Sequence, residues 1–406
     1  MSEIKQGYKQ TKVGIIPEDW EVVKLGKIAT VETGKTPLRS NKQFWDNGTI
    51  NWATTTEVNE TYIVSTNEKI TNQAVAELKM KILPINTILL AMYGQGKTRG
   101  KVALLRIEST INQAFASIKP NKNYSTNFIF NYLDKSYEKI RDLSHGSNQD
   151  NLNLDIVKAL QIPLPPLKEQ EKIAEILTTW DEAITKQTEL LRAKELQKKA
   201  LGQKLLSGEV RFDGFSDEWE EIRLGKYIKE ISKKNKENVE LVLSVTNKHG
   251  FIAQKDYFEK EVASKDTSNY KIVKKGNFAY NPSRINVGSL GLLEEYEIGI
   301  LSPMYVIFEC LKGLDKQYLN YWLNTHNFTG NLSKFLSGSV RDSLAFNDMK
   351  LMKIKLPSLP EQQKIAEVLS LADDEINLLK TELEELNLQK KALMQKLLTG
   401  QVRVKV

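Results

Sequence analysis

The sequence is poor in the residues on which many metal sites and extracellular folds depend. Its 406 residues include one cysteine, Cys310, and three histidines that lie far apart, at His145, His249 and His326. A single cysteine excludes a disulfide framework within the chain and a cysteine-rich zinc site, and it is typical of a reducing compartment. The histidines lack the spacing of metal ligands. We therefore expect no metal site in this chain.

Long apolar segments are also missing. No uncharged apolar run approaches the roughly 18 residues that suggest a membrane-spanning helix, and the start, MSEIKQGYKQTK, lacks the apolar centre of a signal peptide. These absences predict a cytoplasmic protein without a membrane partner. At 406 residues and 40% hydrophobic content, the chain can form two domains with full cores.

Motifs of enzymes that modify nucleic acids are absent as well. The nearest match to the (N/D)PP(Y/F) motif of amino-methyltransferases is NPSR from Asn281, which lacks the second proline and the aromatic residue. The sequence contains no Pro-Asp dipeptide, so a nuclease motif of the type PD…(D/E)xK cannot be assembled. We therefore predict no catalytic residue.

One segment does match a phosphate-binding loop. Residues 91–98, AMYGQGKT, fit the pattern A-x-x-x-x-G-K-T, which requires a strand before it and a helix after it. The preceding INTILLAMY is typical of a buried strand, but Gly100 and the following KVALLRI indicate a second strand rather than a helix. A basic hairpin is the working interpretation, and an NTPase using residues 91–98 is the alternative.

The chain repeats itself at an offset of 192 residues. The segment IPLPPLKEQEKIAEIL from Ile162 aligns without gaps on IKLPSLPEQQKIAEVL from Ile354, and 27 of the 50 positions from Ile162 to Arg211 are identical. Nearer the start of each copy, WEVVKLGK at Trp20 corresponds to WEEIRLGK at Trp219. Between these segments the copies diverge. The chain therefore consists of two units, each with a variable part followed by a constant tail.

The constant tails are predicted to be helices of about 40 residues, because prolines precede them and Gly208 and Gly400 follow them. Their apolar residues recur in steps of four and three, which predicts a coiled-coil seam. In the first copy Gln187, Lys194 and Lys198 occupy seam positions, which indicates a looser seam or a second partner, and in the second only Lys390 does. The predicted interface residues are Ile173, Leu177, Trp180, Ile184, Ile365, Leu369, Ile376, Leu379, Leu383 and Leu386.

Charge indicates which part of the chain meets a polyanion. The whole chain has a net charge of +7, whereas the two predicted helices carry eight basic with seven acidic and five basic with eight acidic residues. The helices therefore have a net charge of −2, and the remaining chain has +9. This excess favours a nucleic-acid surface on the variable parts, although a diffuse solvated surface is the simpler alternative.

In this arrangement the chain resembles the DNA specificity subunit of type I restriction-modification systems. The resemblance covers nearly the whole chain and is carried by the opening GYKQTKVGIIPEDWEVVKLGKI and by PLPPLKEQEKIAEIL with the helical repeats. The second copy begins differently, with FDGFSDEWEEIRLGK. The resemblance implies two mixed α/β (α+β) recognition domains in tandem, at residues 1–160 and 209–355. Long antiparallel coiled-coil helices, at 161–208 and 356–400, separate them.

The resemblance also implies the function. Each recognition domain of the family reads one half of a split site in double-stranded DNA, and the helices fix the gap between the halves and bind two modification subunits. Those partners methylate adenine from S-adenosylmethionine, and restriction subunits that use ATP and magnesium join them. This chain would need no cofactor itself. Neither the target bases nor the gap length can be predicted.

Polar residues of the hairpin loop and of the corresponding part of the second copy are the expected DNA contacts. Their side chains can bond to base edges and phosphates. The Gly-Ser segments that precede the helices add candidates that could equally be turns. The expected contacts are Gln95, Lys97, Thr98, Arg99, Lys101 and Gln149 in the first copy, and Asn281, Ser283, Arg284, Asn286 and Arg341 in the second. A coiled-coil scaffold that never binds DNA is a further alternative.

Overall fold

The chain divides into two compact units in a computed structural model. It describes residues 4–59, 61–94, 96–143, 151–247, 250–257, 266–332, 334–335 and 343–406. The first unit comprises Met1–Thr188 and Thr381–Val406, and the second comprises Glu189–Lys380. Each unit therefore combines one variable part with a piece of each constant helix. The domain bounds implied by the resemblance stay a prediction.

Short strands and helices precede the first constant helix. The strands are β1 (Tyr8–Thr11), β2 (Gly14–Pro17), β3 (Glu21–Lys24), β4 (Ala29–Thr33), β5 (Ile50–Ala53), β6 (Tyr62–Ile63), β7 (Glu68–Ile70), β8 (Ile88–Ala91), β9 (Val102–Leu105), β10 (Thr110–Ile111), β11 (Phe115–Pro120) and β12 (Gln161–Leu164). The helices are α1 (Leu25–Ile28), α2 (Asn72–Glu77), α3 (Thr126–Lys135), α4 (Tyr137–Asp142), α5 (Leu154–Ala159) and the constant helix α6 (Leu167–Ser207).

The second copy also consists of short strands and short helices that precede a long constant helix. Its strands are β13 (Glu220–Arg223), β14 (Ile228–Ile231), β15 (Leu243–Thr246), β16 (Gly250–Ala253), β17 (Lys271–Lys274), β18 (Phe278–Tyr280), β19 (Leu290–Leu292), β20 (Ile298–Leu301), β21 (Val306–Cys310) and β22 (Lys353–Leu356). Its helices are α7 (Gln254–Tyr257), α8 (Lys316–Leu323), α9 (His326–Leu332), α10 (Phe346–Leu351) and the constant helix α11 (Leu359–Leu397).

Four strands of the main sheet have the same order in both units. In the first unit the order is β4-β11-β8-β9-β6, and in the second it is β14-β21-β18-β19. Strands β8 and β9, with the sequences ILLA and VALL, are buried along their whole length, because the sheet lies between two apolar clusters. Hairpin β8-β9 thus corresponds in topology to hairpin β18-β19.

Pieces of the two constant helices pack on each other within each unit. Ile173 and Leu177 of the predicted seam are fully buried in the first unit, as are Ile365 and Leu369 in the second. Other seam residues are less well covered, and Ile184, Leu383 and Leu386 are only half-buried. Trp180 is half-buried too, whereas Ile376 and Leu379 are buried.

The polar seam residues are paired across the helices. In the first unit Lys390 Nζ lies 2.5 Å from Asp181 Oδ1, and Gln187 Nε2 donates to Glu382 Oε2 at 2.8 Å. A higher residue number on α6 thus meets a lower one on α11, so the pieces run antiparallel. The predicted mixed α/β fold with antiparallel coiled-coil helices is confirmed.

The second unit pairs its polar seam residues in the same way. Lys198 forms an ion pair with Asp373, and Lys194 Nζ lies 2.6 Å from Glu375 Oε1. Each of the two lysines at seam positions thus faces an acidic residue of α11. The pairs Lys390–Asp181 and Lys198–Asp373 are related by the 192-residue offset.

Candidate DNA interface and helix junctions

Residues 92–94 and 96–101 lie in the turn of hairpin β8-β9. The two strands run antiparallel, and the amide of Gly100 donates to the carbonyl of Ala91 at 2.9 Å. A phosphate-binding loop needs a helix that begins near Thr98, but the described residues that follow continue into β9. The nucleotide-binding alternative is therefore not favoured, and the hairpin predicted from Gly100 and the apolar residues after it is confirmed.

Glycines give this turn its shape. Gly94, Gly96 and Gly100 have φ angles of 148°, 61° and 87°, which residues with a side chain rarely adopt. A Cβ atom on Gly94 would also lie 2.7 Å from Cβ of Thr98. The loop can therefore fold tightly and present its polar side chains from a short turn.

Helix α4 supports the loop from one side. The hydroxyl of Tyr137 donates to the carbonyl of Lys97 at 2.8 Å, and Nη1 of Arg141 donates to the same hydroxyl at 3.3 Å. The backbone at Lys97 is therefore held while its side chain is exposed. Thr98, Arg99 and Lys101 are half-buried. The predicted contacts Gln95 and Gln149 lie outside the described residues.

Two polar segments missed by the sequence analysis lie beside this loop. Strand β11 pairs with both β4 and β8. The last residues of β4 and β8 and the first residues of β11 therefore lie at the same end of the sheet. The hydroxyl of Thr33 donates to the carbonyl of Gln113 at 3.0 Å, and the side chains of Thr36 and Gln113 are hydrogen-bonded. Thr36 and Gln113 thus add polar side chains to the end of the sheet that carries the hairpin loop. Their position directly beyond strand ends was a usable signal.

Arg39, on the segment that follows β4, contacts an aromatic ring and a carboxylate. Its guanidinium lies 3.9 Å from the ring centre of Trp45 and bonds to both carboxylate oxygens of Glu68, with Nη2 at 2.7 Å from Oε2. These hydrogen bonds hold the pKa of Glu68 below its usual value. A stacked guanidinium with a carboxylate partner has little conformational freedom left. It therefore links this segment to Trp45 and to Glu68 of β7.

The second hairpin turns through a short 3-10 helix, Pro282–Val287. Asn281 is buried, and its side chain accepts a hydrogen bond from the amide of Ser283 at 3.1 Å. Ser283, Arg284 and Asn286 are exposed. The structure thus places three of the predicted contacts on the surface of one turn, while Asn281 caps that turn. Arg341 lies outside the described residues.

A buried carboxylate joins the variable part of the first unit to the start of α6. Glu169 is 3% exposed and accepts a hydrogen bond from Nε1 of Trp20 at 3.2 Å. Arg403, which follows α11, donates to both oxygens of Glu169 at 2.7 and 2.8 Å and also binds Asp19. The guanidinium of Arg403 holds the pKa of Asp19 below its usual value. The segment after the second constant helix is therefore part of the first unit.

The second unit repeats this junction with equivalent residues. Glu361 is 1% exposed, accepts from Nε1 of Trp219 at 3.2 Å, and binds the guanidinium of Arg211, which follows α6. Next to it, the side chain of Gln362 accepts from the amide of Asp315, the cap of α8, at 2.8 Å. The two junctions fix the variable part of each unit to the start of a constant helix.

Comparisons with known proteins identify the family. The family model described as type I restriction modification DNA specificity domain matches residues 17–193 and 217–388. The MjaIX specificity subunit of a type I restriction enzyme from Methanocaldococcus jannaschii is 30% identical over 98% of this chain and 96% of its own length. The chain belongs to the type I DNA specificity family.

Other members of the specificity family support the same assignment over the full length. The MjaVIII specificity subunit of the same organism is 28% identical over 99% of this chain and 97% of its own length. The crystal structure of a type I restriction-modification S subunit from M. genitalium shares the fold, with a TM-score of 0.59 at 17% identity over 93% of this chain and 96% of that one.

Two features of the described residues bear on other classes of protein. No group of histidine, cysteine, aspartate and glutamate side chains there could hold a metal ion. None of the helices in these parts of the chain is both long and apolar enough to cross a membrane.

Proposed function

We propose that this specificity subunit reads a split site in double-stranded DNA, with one half-site read by each unit. The observation that carries the proposal is the pair of hairpins, β8-β9 and β18-β19, which occupy the same place in two equivalent sheets but carry different polar side chains. Because the two hairpins are equivalent in position but carry different hydrogen-bonding side chains, they are suited to bind different base sequences.

The proposal gives the exposed loop residues different tasks. In the first unit Arg99 reads a base while Lys97 and Lys101 bind phosphates, and Thr98 adds a hydroxyl beside them. In the second unit Arg284 reads a base, and Ser283 and Asn286 contact the DNA next to it. Asn281 shapes the turn through its cap. Gln95, Gln149 and Arg341 remain candidates on the basis of the sequence.

The chemistry of the system belongs to other chains. The subunit is a DNA-recognition component rather than a catalyst, and it assembles with two modification subunits and with restriction subunits in the cytoplasm. S-adenosylmethionine, ATP and magnesium bind to those partners and not to this chain. The helices set the gap between the half-sites and carry the modification subunits.

Exposed leucines on α11 offer the modification subunit a docking face. Leu371 and Leu378 are 61% and 60% exposed and lie seven residues apart, so they share one face of the helix away from the seam. Leu371→Glu with Leu378→Glu should prevent assembly, as judged by size-exclusion chromatography with the modification subunits. The same change at Leu351, which is exposed on α10, is the control and should assemble normally.

Mapping of N6-methyladenine across a host genome, with and without this gene, tests the proposed function. The expected result is a split motif that is methylated only when the gene is present. Replacing residues 93–99 with the loop of another family member should change one half of the motif and leave the other half intact. Methylation that does not depend on the gene, or a change in both halves, would contradict the proposal.

A further inference from the structure

In each main sheet, the strand that pairs with the hairpin begins beside the hairpin loop. In the first unit Phe115 of β11 pairs with Ala91, the last residue of β8. In the second unit Val306 of β21 pairs with Tyr280, the last residue of β18. The starts of β11 and β21 are therefore equivalent in register, and the residues that precede them can be compared one by one.

This comparison brings one exposed position of each unit into correspondence. Gln113 lies two residues before Phe115, and Met304 lies two residues before Val306. Both residues are exposed, Met304 by 61%. Neighbouring strands lie about 4.8 Å apart, little more than the rise of about 3.4 Å between base pairs. A side chain at this position and the hairpin loop beside it can therefore contact bases of the same half-site.

In the first unit two hydroxyls hold this position. The hydroxyl of Thr36 donates to Oε1 of Gln113, and that of Thr33 donates to the backbone carbonyl of Gln113 at 3.0 Å. An amide oxygen has two lone pairs, so Oε1 can accept a second hydrogen bond. A glutamine amide binds adenine by accepting from N6 and donating to N7. The bond from Thr36 therefore orients the amide while the pairing with adenine stays open to it.

In the second unit the equivalent side chain is apolar. The sulfur of Met304 lies 3.5 Å from Nδ2 of Asn281, the residue that caps the turn of the second hairpin. Met304 is thus beside the turn that carries Ser283 and Arg284. A thioether is a weak acceptor, whereas an apolar side chain in the major groove can contact the methyl group of thymine.

We propose that Gln113 and Met304 are additional specificity residues, of which Gln113 reads an adenine in the first half-site and Met304 contacts a thymine methyl group in the second. The inference rests on the proposed function and adds one base contact to each recognition surface. Thr36 acts through Gln113 as a positioning residue. Both bases stay stacked in the duplex, because N6, N7 and the methyl group all lie in the major groove.

Small changes to the bases test the two contacts. 7-Deazaadenine, placed at each adenine of the first half-site in turn, removes N7 and keeps the pairing with thymine. Deoxyuridine, placed at each thymine of the second half-site, removes the methyl group. The chain assembled with its modification subunits is titrated against these duplexes. Binding should weaken about fivefold at the adenine that Gln113 reads and about threefold at the thymine that Met304 contacts.

Variants of the two residues identify the positions that they contact. In Gln113→Leu the loss at one 7-deazaadenine position should vanish, and in Met304→Ala the loss at one deoxyuridine position should vanish. Modification subunits that unstack a target adenine do so with wild type and variant alike, so their effect cancels in this comparison. Thr36→Val should reduce the dependence on N7, and Thr36→Ser should restore it.

Two controls accompany these variants. Gln10→Leu changes an exposed glutamine of β1, on the hairpin whose Tyr8 bonds to the carbonyl of Gly400, and it should keep every dependence of the wild type. In Gln113→Leu the preferences at the second half-site should be unchanged, and in Met304→Ala those at the first. These unchanged preferences show that the assembly is intact.

The failure of the inference can be told apart from that of the proposed function. Sequence-specific binding in which either Gln113→Leu or Met304→Ala keeps every dependence of the wild type would overturn the inference and leave the proposed function standing. Absence of any sequence preference in the wild-type assembly would overturn the proposed function, and the inference with it.

Discussion

Arginine and lysine in the first hairpin loop differ in environment as well as in chemistry. Lys97 is exposed on a backbone that Tyr137 holds, whereas Arg99 is half-buried and therefore more restricted. A guanidinium binds guanine through two parallel hydrogen bonds, while an ammonium acts on phosphate as a point charge. We therefore propose Arg99 as the base reader of the first loop and Arg284 as that of the second loop.

Alanine substitutions should separate these roles. Arg99→Ala should weaken binding by about 1 to 3 kcal/mol and relax the first half-site only, and Arg284→Ala should do the same for the second. Lys97→Ala should weaken all sequences alike and reduce the salt slope by about one. Titration of the assembled methyltransferase against duplexes altered in one half-site, at two salt concentrations, measures both effects. Equal losses on both half-sites for Arg99→Ala would remove it as a base reader.

The single cysteine is expected to be chemically inert in the folded chain. Cys310 lies at the end of β21 against the core of the second unit, and burial raises the pKa of its thiol to about 12. Since only the thiolate reacts, alkylation by iodoacetamide at pH 8 should be about a thousandfold slower than for a free thiol. Reaction followed by mass spectrometry should accelerate in denaturant. Rapid labelling of the native chain would contradict this expectation.

The helix seam shows why equivalent ion pairs need not contribute equally. The side chains of Lys390 and Asp181 are 13% and 10% exposed, whereas those of Lys198 and Asp373 are 27% and 37% exposed. Removal of one partner from a buried pair leaves an uncompensated charge, but an exposed carboxylate is solvated by water. The first pair is therefore the more sensitive to substitution.

This difference can be measured with a matched pair of variants. Lys390→Met should destabilise the chain by about 3 kcal/mol, and Lys198→Met by about 1 kcal/mol or less. Lys390→Met combined with Asp181→Leu should recover most of the loss, because no buried charge remains. Urea unfolding of the four chains gives the comparison. A loss for Lys198→Met as large as that for Lys390→Met would show that burial does not decide the effect.

Periodicity predicted the two constant helices and the hairpin, since both depend on residues close in sequence. It did not explain the lysines at seam positions, because Asp181 and Asp373 lie on the partner helix and no pattern within one helix reveals them. The positions of Thr36 and Gln113 beside the first hairpin and of Met304 beside the second were also missed. Strand order brings those residues beside the hairpins, and the sequence does not specify that order.

At the scale of the molecule, each unit is built from distant parts of the chain. The first unit contains the start of α6, the end of α11 and Arg403, and the second contains the remainder of both helices and Arg211. The repeat of 192 residues therefore describes the sequence but not the folded units. Each junction uses an arginine that follows the other copy's helix. The helices consequently belong to both units, and we propose that they set the gap between the half-sites.

Lengthening both helices tests this role. Gln187 bonds to Glu382, so insertions after Thr188 in α6 and before Thr381 in α11 lie opposite each other. Four residues in each helix add about 6 Å, close to two base pairs of rise, and a coiled coil accommodates such an insertion by unwinding locally. We expect the methylated motif to keep both half-sites and to gain one or two base pairs of spacer.

Methylome sequencing of cells that carry the lengthened chain provides the measurement. An insertion in α6 alone is the control, because it shifts the pairs that Lys194 and Lys198 form with α11 relative to those of Asp181 and Gln187. That variant should lose activity or stability, whereas the matched insertion should retain both. An active complex with matched insertions and an unchanged spacer would show that something other than the helix pair sets the gap.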